Sequence, residues 1–159
     1  MIKILQAEIP EQIAETKKLF REYEKWLELD ICFQGFEAEL ANLPGKYAEP
    51  DGRLLLALVD GKIAGCIALR KLEENICEMK RLYLRDEFRG LGLGNKLIKK
   101  LIEEARLIGY KKMRLDTLPD KMAKAVKLYE SYGFRSIPAY YHNPYSETLF
   151  MELVLDNLN

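Results

Sequence analysis

Excess charge of one sign, histidine, paired cysteines and long apolar runs are all scarce in this sequence, and each scarcity closes a class of function. Lys plus Arg and Asp plus Glu number 25 each, so the formal net charge is zero. With no positive excess to displace counterions or adhere to anionic headgroups, neither nucleic acid nor a membrane surface is an expected partner. No apolar stretch approaches the roughly 20 residues that a bilayer-crossing helix needs. Cys32, Cys66 and Cys77 form no metal-ligand or redox pair, and the one histidine, His142, stands far from them, so no bound metal is expected. No secretory segment with an apolar centre opens the sequence, and we expect reduced thiols and a cytoplasmic protein.

What is present is an ordinary globular balance, 48% apolar and 31% charged residues over 159 positions, enough for one core. No repeat, low-complexity tract or linker divides it, so residues 1–159 are expected to be one domain. Ile2 to Ala7 reads as a strand. Pro10 opens a helix whose Ile13, Phe20, Tyr23 and Leu27 share a face, and a weaker helical stretch carrying Phe33, Phe36 and Leu40 ends at Leu43-Pro44-Gly45. Leu54 to Val59 and Lys62 to Arg70 flank Asp60-Gly61, a dipeptide suited to a primed turn, and Ile76 to Leu84 completes a three-stranded meander.

The period then changes. Leu97, Leu101, Ala105 and Ile108 fall on one helical stripe that Gly109 terminates. Lys111 to Thr117 reads as a strand, Met122 to Tyr132 as a helix closed by Gly133, and Phe134 to Ile137 and Leu149 to Leu155 as closing strands. The predicted order is β-α-α-β-β-β-α-β-α-β-β, an α/β (α+β) fold.

Between the third strand of the meander and the long, capped helix lies Arg89-Gly90-Leu91-Gly92-Leu93-Gly94-Asn95. Alternating glycines let backbone N–H groups converge with no Cβ in the way, and a helix start adds unpaired donors and partial positive charge. Such a nest suits phosphate. The dinucleotide pattern G-x-G-x-x-G fails, because counting from Gly90 its last glycine falls on Asn95. The triphosphate pattern G-x-x-x-x-G-K-[ST] fails at the same residue. An unliganded strand-to-helix turn is the competing reading.

R-x-x-G-x-G is satisfied by Arg89, Gly92 and Gly94, and here the chain resembles the GNAT superfamily of N-acetyltransferases. Glu78-Met79-Lys80-Arg81-Leu82-Tyr83-Leu84 looks like that family's fourth strand, and Leu128-Tyr129-Glu130-Ser131-Tyr132-Gly133-Phe134 like its later helix-to-strand motif. The resemblance covers about the whole chain. It implies a mixed, mostly antiparallel sheet flanked by helices, with a bulge in the fourth strand. It also implies acetyl-CoA as cofactor, held by Leu82, Tyr83, Leu84 and the loop Arg89 to Asn95. The early Phe-Gln, the Leu43-Pro44-Gly45 turn and the late Tyr-Tyr-His-Asn-Pro further resemble an uncharacterised subgroup.

Acyl transfer from a thioester to an amine needs a neutral amine, a stabilised oxyanion and a proton for the departing thiolate. The resemblance places a base at Glu78, a general acid at Tyr129 and an oxyanion donor among the backbone N–H groups of Leu82 to Leu84. Glu78 can equally be a salt-bridged strand carboxylate beside Lys80 and Arg81, and Tyr129 can simply pack its helix on the sheet. Arg89 can hold the loop instead of a phosphate. The family often carries an Asn after the fifth strand, which Pro119 to Ala123 lacks. Cys77 beside Glu78 has no histidine at triad spacing, so a buried structural thiol is expected. Phe33, Gln34, Tyr141 and His142 are candidates to line an acceptor pocket, with loop packing or a homodimer contact as the other reading. The expected partner is a small-molecule amine. A protein amine, or a non-catalytic CoA-binding role, is the alternative.

Overall fold

Turn chemistry and period account for most of the elements in the computed structural model, which describes residues 1–31 and 35–155. Strand β1 spans Ile2–Gln6 and helix α1 Pro10–Leu27, with Pro10 in the first turn where its missing N–H has no partner to lose. Helix α2 is Phe36–Ala41. Strands β2 (Arg53–Val59) and β3 (Lys62–Glu73) meet at Asp60-Gly61, whose φ values of 50° and 83° match the primed turn read from the sequence. Strand β4 is Ile76–Leu84, helix α3 Leu93–Ile108, strand β5 Lys112–Thr117, helix α4 Ala123–Tyr132, strand β6 Arg135–Ile137 and strand β7 Leu149–Val154. Gly109 and Gly133 close α3 and α4 in the left-handed conformation, at φ 108° and 104°.

The described residues form a seven-stranded sheet ordered β1-β2-β3-β4-β5-β7-β6. All neighbours are antiparallel except β4 and β5, which run parallel. This is the mixed, helix-flanked fold expected. Two irregularities prepare a site. The parallel β4–β5 pairing covers Ile76 to Glu78 against Lys112 to Arg114 and goes no further, so the two strands splay and leave the rest of the β4 edge without a partner strand. Opposite β3, the register steps from Cys66↔Tyr83 to Ala68↔Lys80, which gives β4 one extra residue, the expected bulge.

Arg81 sits at that bulge with φ 62°, a strained conformation for a residue with a Cβ. Its surroundings hold it there. The guanidinium donates to both carboxylate oxygens of Glu39, at 2.9 and 2.8 Å, and lies 5.2 Å from the Phe36 ring centroid. The bulge also resets the alternation. Cys77, Met79, Leu82 and Leu84 pack on the face covered by α3 and α4, whereas Arg81 and Tyr83 turn to the face covered by α1 and α2.

Candidate active site

The glycine loop forms the first part of the site. Gly90 and Gly92 have φ of 85° and 77°, and a Cβ built on either would meet no atom within 4 Å. Glycine is needed there for conformation, and the space above both residues is open to a ligand. Gly92 caps α3 with no side-chain hydrogen bond, and the first turn holds no acidic residue. That leaves the helix's first N–H groups and its positive end available to an anion. These features fit a pyrophosphate. Leu93 is buried as an anchor while Leu91 is 51% exposed.

Arg89 is occupied with the loop itself. Its Nε donates to the Leu84 carbonyl at 3.1 Å, its Nη1 pairs with Asp86 at 2.9 Å, and the guanidinium lies 5.2 Å from the Trp26 ring. Asn95 accepts a 2.5 Å hydrogen bond from Tyr132, which ties α4 to the start of α3. Leu82, Tyr83 and Leu84 lie along the β4 edge that faces the splay. The loop, the helix start and this open edge are thus contiguous in chain and space.

Across the sheet, the face toward α1 and α2 carries buried charge. Glu78 is 1% exposed. Its Oε1 accepts from Arg70 Nε and Nη2, each at 2.8 Å, and its Oε2 accepts from the Tyr140 hydroxyl at 2.5 Å. Burial pushes its carboxyl up, but Lys80, Arg70 and the hydrogen bonds from Tyr140 and Arg70 together hold it below the usual carboxylate range. Burial and Arg81 in turn push the Lys80 ammonium down, against the pull of Glu78 and Asp116. Asp116, two residues past the last β4–β5 pair, accepts from the Tyr141 hydroxyl at 2.6 Å.

Three tyrosines fix the β6–β7 loop over this face. Tyr140 reaches Glu78 and Tyr141 reaches Asp116. The Tyr145 hydroxyl donates to the Asp30 carbonyl at 2.8 Å and accepts from the Asp30 N–H at 3.1 Å. Both Tyr140 and Tyr141 stack edge-on against Phe150, with centroids 5.3 Å away. Burial pushes both phenols up, with Glu78 and Asp116 respectively adding to the effect. A cavity of about 270 Å³ beside α2, bordered by Glu39, Tyr47 and Arg70, leaves room on the same side.

Tyr129 is 4% exposed in the core under α4, its ring 5.6 Å from that of Phe134. Burial pushes its phenol up, and the charges of Tyr23 and Asp116 add to that although Tyr23 belongs to the opposite face. Cys77 is buried, donates weakly to the Lys112 carbonyl at 3.5 Å, and has its thiol pushed up by burial, as befits a structural cysteine.

The structure brings Glu78 together with Arg70 and Tyr140 on the face toward α1 and α2, buries Tyr129 in the cluster on the other face, and sets the glycine loop beyond the end of β4. Tyr141 is held by Asp116, His142 is exposed on the loop, and Phe33 and Gln34 lie outside the described residues. Asp116, Arg70 and Tyr23 escaped the sequence reading. Asp116 had a faint signal, since the alternating Lys112, Arg114 and Asp116 of β5 mark a polar face opposite Met113 and Leu115. Arg70 and Tyr23 reach the cleft from elements far away in sequence, and nothing local marks them.

Among the described residues, no helix is long and apolar enough to cross a membrane, and no group of His, Cys, Asp or Glu is placed to hold a metal ion. Residues 13–134 match the acetyltransferase (GNAT) family model. An uncharacterised N-acetyltransferase of Schizosaccharomyces pombe is 41% identical over 96% of this chain and 94% of its own length. Human N-acetylaspartate synthetase is 37% identical over 65% of this chain, about a third (35%) of that protein. The PaiA N-acetyltransferase of Thermoplasma acidophilum, solved with coenzyme A, superposes with a TM-score of 0.74 over 97% of this chain and 99% of its own at 20% identity. The chain belongs to the GNAT family and is an acetyl-CoA-dependent N-acyltransferase.

Proposed function

We propose that the acceptor is the primary amine of a small, amino-acid-like molecule, acetylated by direct transfer within one domain. The observation that carries this is the loop of Tyr140, Tyr141 and Tyr145, pinned at Glu78, Asp116 and Asp30 across the acceptor side of the splay. A bounded pocket suits a small acceptor, whereas a polypeptide would need an open groove. Similarity to an enzyme named for making N-acetylaspartate supports the same reading. The tyrosines that suggested a homodimer are engaged inside the chain, so they no longer argue for one. Two buried free thiols, Cys66 and Cys77, agree with a reducing, cytoplasmic setting.

Acetyl-CoA supplies an activated acyl group. The α3 N-terminus and the Gly90 to Gly94 backbone would hold its pyrophosphate. Backbone N–H groups on the free β4 edge would face charge developing on the acyl oxygen. Glu78 has both oxygens occupied, so we assign it the base role through Tyr140: an acceptor that arrives as an ammonium ion first gives one proton to solvent, and as the neutral amine attacks the thioester carbonyl its N–H proton passes to the Tyr140 oxygen while the Tyr140 proton passes to Glu78 Oε2. The Tyr129 hydroxyl, kept protonated by burial, would return a proton to the released sulfur. The test is acetyl-CoA consumption over amines, amino acids, aminoglycosides and peptides. Turnover with amino acids or small amines is expected, and turnover with peptides alone would overturn the reading. The donor side is checked separately, because CoA at 100 times its dissociation constant should stabilise the fold by about 2.7 kcal/mol.

A further inference from the structure

The two carboxylates facing the splay are not equivalent. Glu78 is fully hydrogen-bonded and balanced by Arg70 and Lys80. Asp116 accepts one hydrogen bond, from Tyr141 to Oδ2, and among the described residues its Oδ1 has no partner and no Lys or Arg forms an ion pair with it. Beside it is a small pocket of about 30 Å³, bordered by Tyr23, Leu118, Asn143 and Thr148 as well as Asp116. The Thr148 Oγ1 is buried there without a hydrogen-bond partner among the described residues. An unsatisfied buried hydroxyl is uncommon in a folded protein and calls for an explanation.

From the open Asp116 oxygen, the unpaired Thr148 hydroxyl and the volume between them, we infer that this pocket binds the acceptor's ammonium group, with Asp116 as its anchor. The inference rests on the small-amine reading above and names the group that the site selects. An –NH3⁺ head carries three donors and no acceptor, and the pocket offers Asp116 Oδ1 and Thr148 Oγ1 as acceptors that nothing else uses. The space suffices for one water or one ammonium head. Tyr23 and Tyr141 are aromatic neighbours suited to a cation.

Position supports it as well. Asp116 lies just past the point where β4 and β5 part, so a nitrogen held there stands at the mouth of the splay. Burial raises the Tyr129 phenol, and the Asp116 charge contributes to the same effect, which brings anchor and proposed acid into one electrostatic neighbourhood. Asn143 links the pocket to the pinned loop. Its Nδ2 donates to the Tyr141 hydroxyl at 3.0 Å while its Oδ1 accepts the Tyr145 N–H at 2.8 Å. The loop that roofs the cleft thus also orients the phenol that holds Asp116.

The experiment titrates the CoA-saturated protein with n-butylammonium at neutral pH, read by calorimetry, with 1-butanol as the uncharged control. The wild-type protein is expected to bind the ammonium and not the alcohol. Asp116→Asn, which keeps an acceptor for Tyr141, should weaken binding by about 10- to 100-fold, the range for removing a charged hydrogen-bond partner. Thr148→Val should weaken it by about 2- to 10-fold. Both variants should keep the wild-type melting shift with CoA, which also shows that they fold. The inference is overturned if the wild-type protein fails to bind butylammonium, if it binds butanol equally well, or if Asp116→Asn leaves the affinity unchanged. Loss of the CoA shift in the wild-type protein would instead defeat the donor-side assignment, so the two failures are distinguishable.

Discussion

The two faces of the sheet are built on opposite principles. Under α3 and α4 lies hydrocarbon: Leu97, Ile98, Leu101, Met113 and Leu115 pack against Leu55, Ile67 and Leu69 with almost no exposure. Toward α1 and α2 the apolar cluster around Phe20, Leu54 and Leu56 gives way, at β4 and β5, to Glu78, Lys80, Arg81 and Asp116. Buried charge of this kind contributes little net stability, since desolvation offsets most of the attraction. Its value lies in what it holds in place: one face stabilises the sheet, and the other fixes the β6–β7 loop at Glu78 and Asp116 beside the gap between β4 and β5.

Substitutions on the two faces should therefore separate activity from stability. The largest expected effect is on turnover. Tyr129→Phe and Glu78→Gln should each lower kcat by about 10²- to 10⁴-fold in a thiol-release assay while the CoA melting shift persists. If both retain wild-type kcat, the assigned roles fail although the cofactor site survives. Next comes the apolar face, where Leu101→Ala should cost about 2–5 kcal/mol in chemical denaturation and leave KM for acetyl-CoA unchanged below the new Tm.

Acid pH sharpens the contrast further. The folded-state pKa of Glu78 lies below its unfolded value, so its contribution is complete above the unfolded pKa of about 4.3 and vanishes as pH falls through the depressed folded value. Stability measured from pH 6 to pH 2 should decline less steeply in Glu78→Gln than in the wild-type protein, and parallel curves would remove Glu78 from the acid-sensitive groups. The smallest effect concerns the loop. Gly92→Ala should destabilise by about 1–2 kcal/mol, because φ 77° is left-handed, and should reduce the CoA melting shift. An unchanged shift would place the phosphate elsewhere.

Much of the fold was legible because each element carries its own period and stops. The α3 stripe, the Asp60-Gly61 turn and the closing glycines at 109 and 133 are local signals, and they lie where they were expected. Strand limits were less secure, since β3 continues to Glu73 rather than ending at Arg70. The glycine loop was equally legible, because it is contiguous and its glycines serve backbone conformation. The charged cluster proposed to face the acceptor was not. Arg70, Glu78, Asp116 and Tyr140 come from β3, β4, β5 and the β6–β7 loop, and their proximity is a product of the strand order β3-β4-β5-β7.

By itself, then, the sequence determined the element order, the apolar faces and a phosphate-suited loop at the start of α3, because those properties are written in neighbouring residues. Tertiary structure alone decided that α3 would lack a side-chain cap, that Arg89 would brace the loop, and that Glu78 would be fully paired while Asp116 keeps an open oxygen. The reason is physical. Whether a carboxylate is satisfied depends on which donors the fold delivers to it, and Tyr140 and Tyr141 arrive from 62 and 25 residues away.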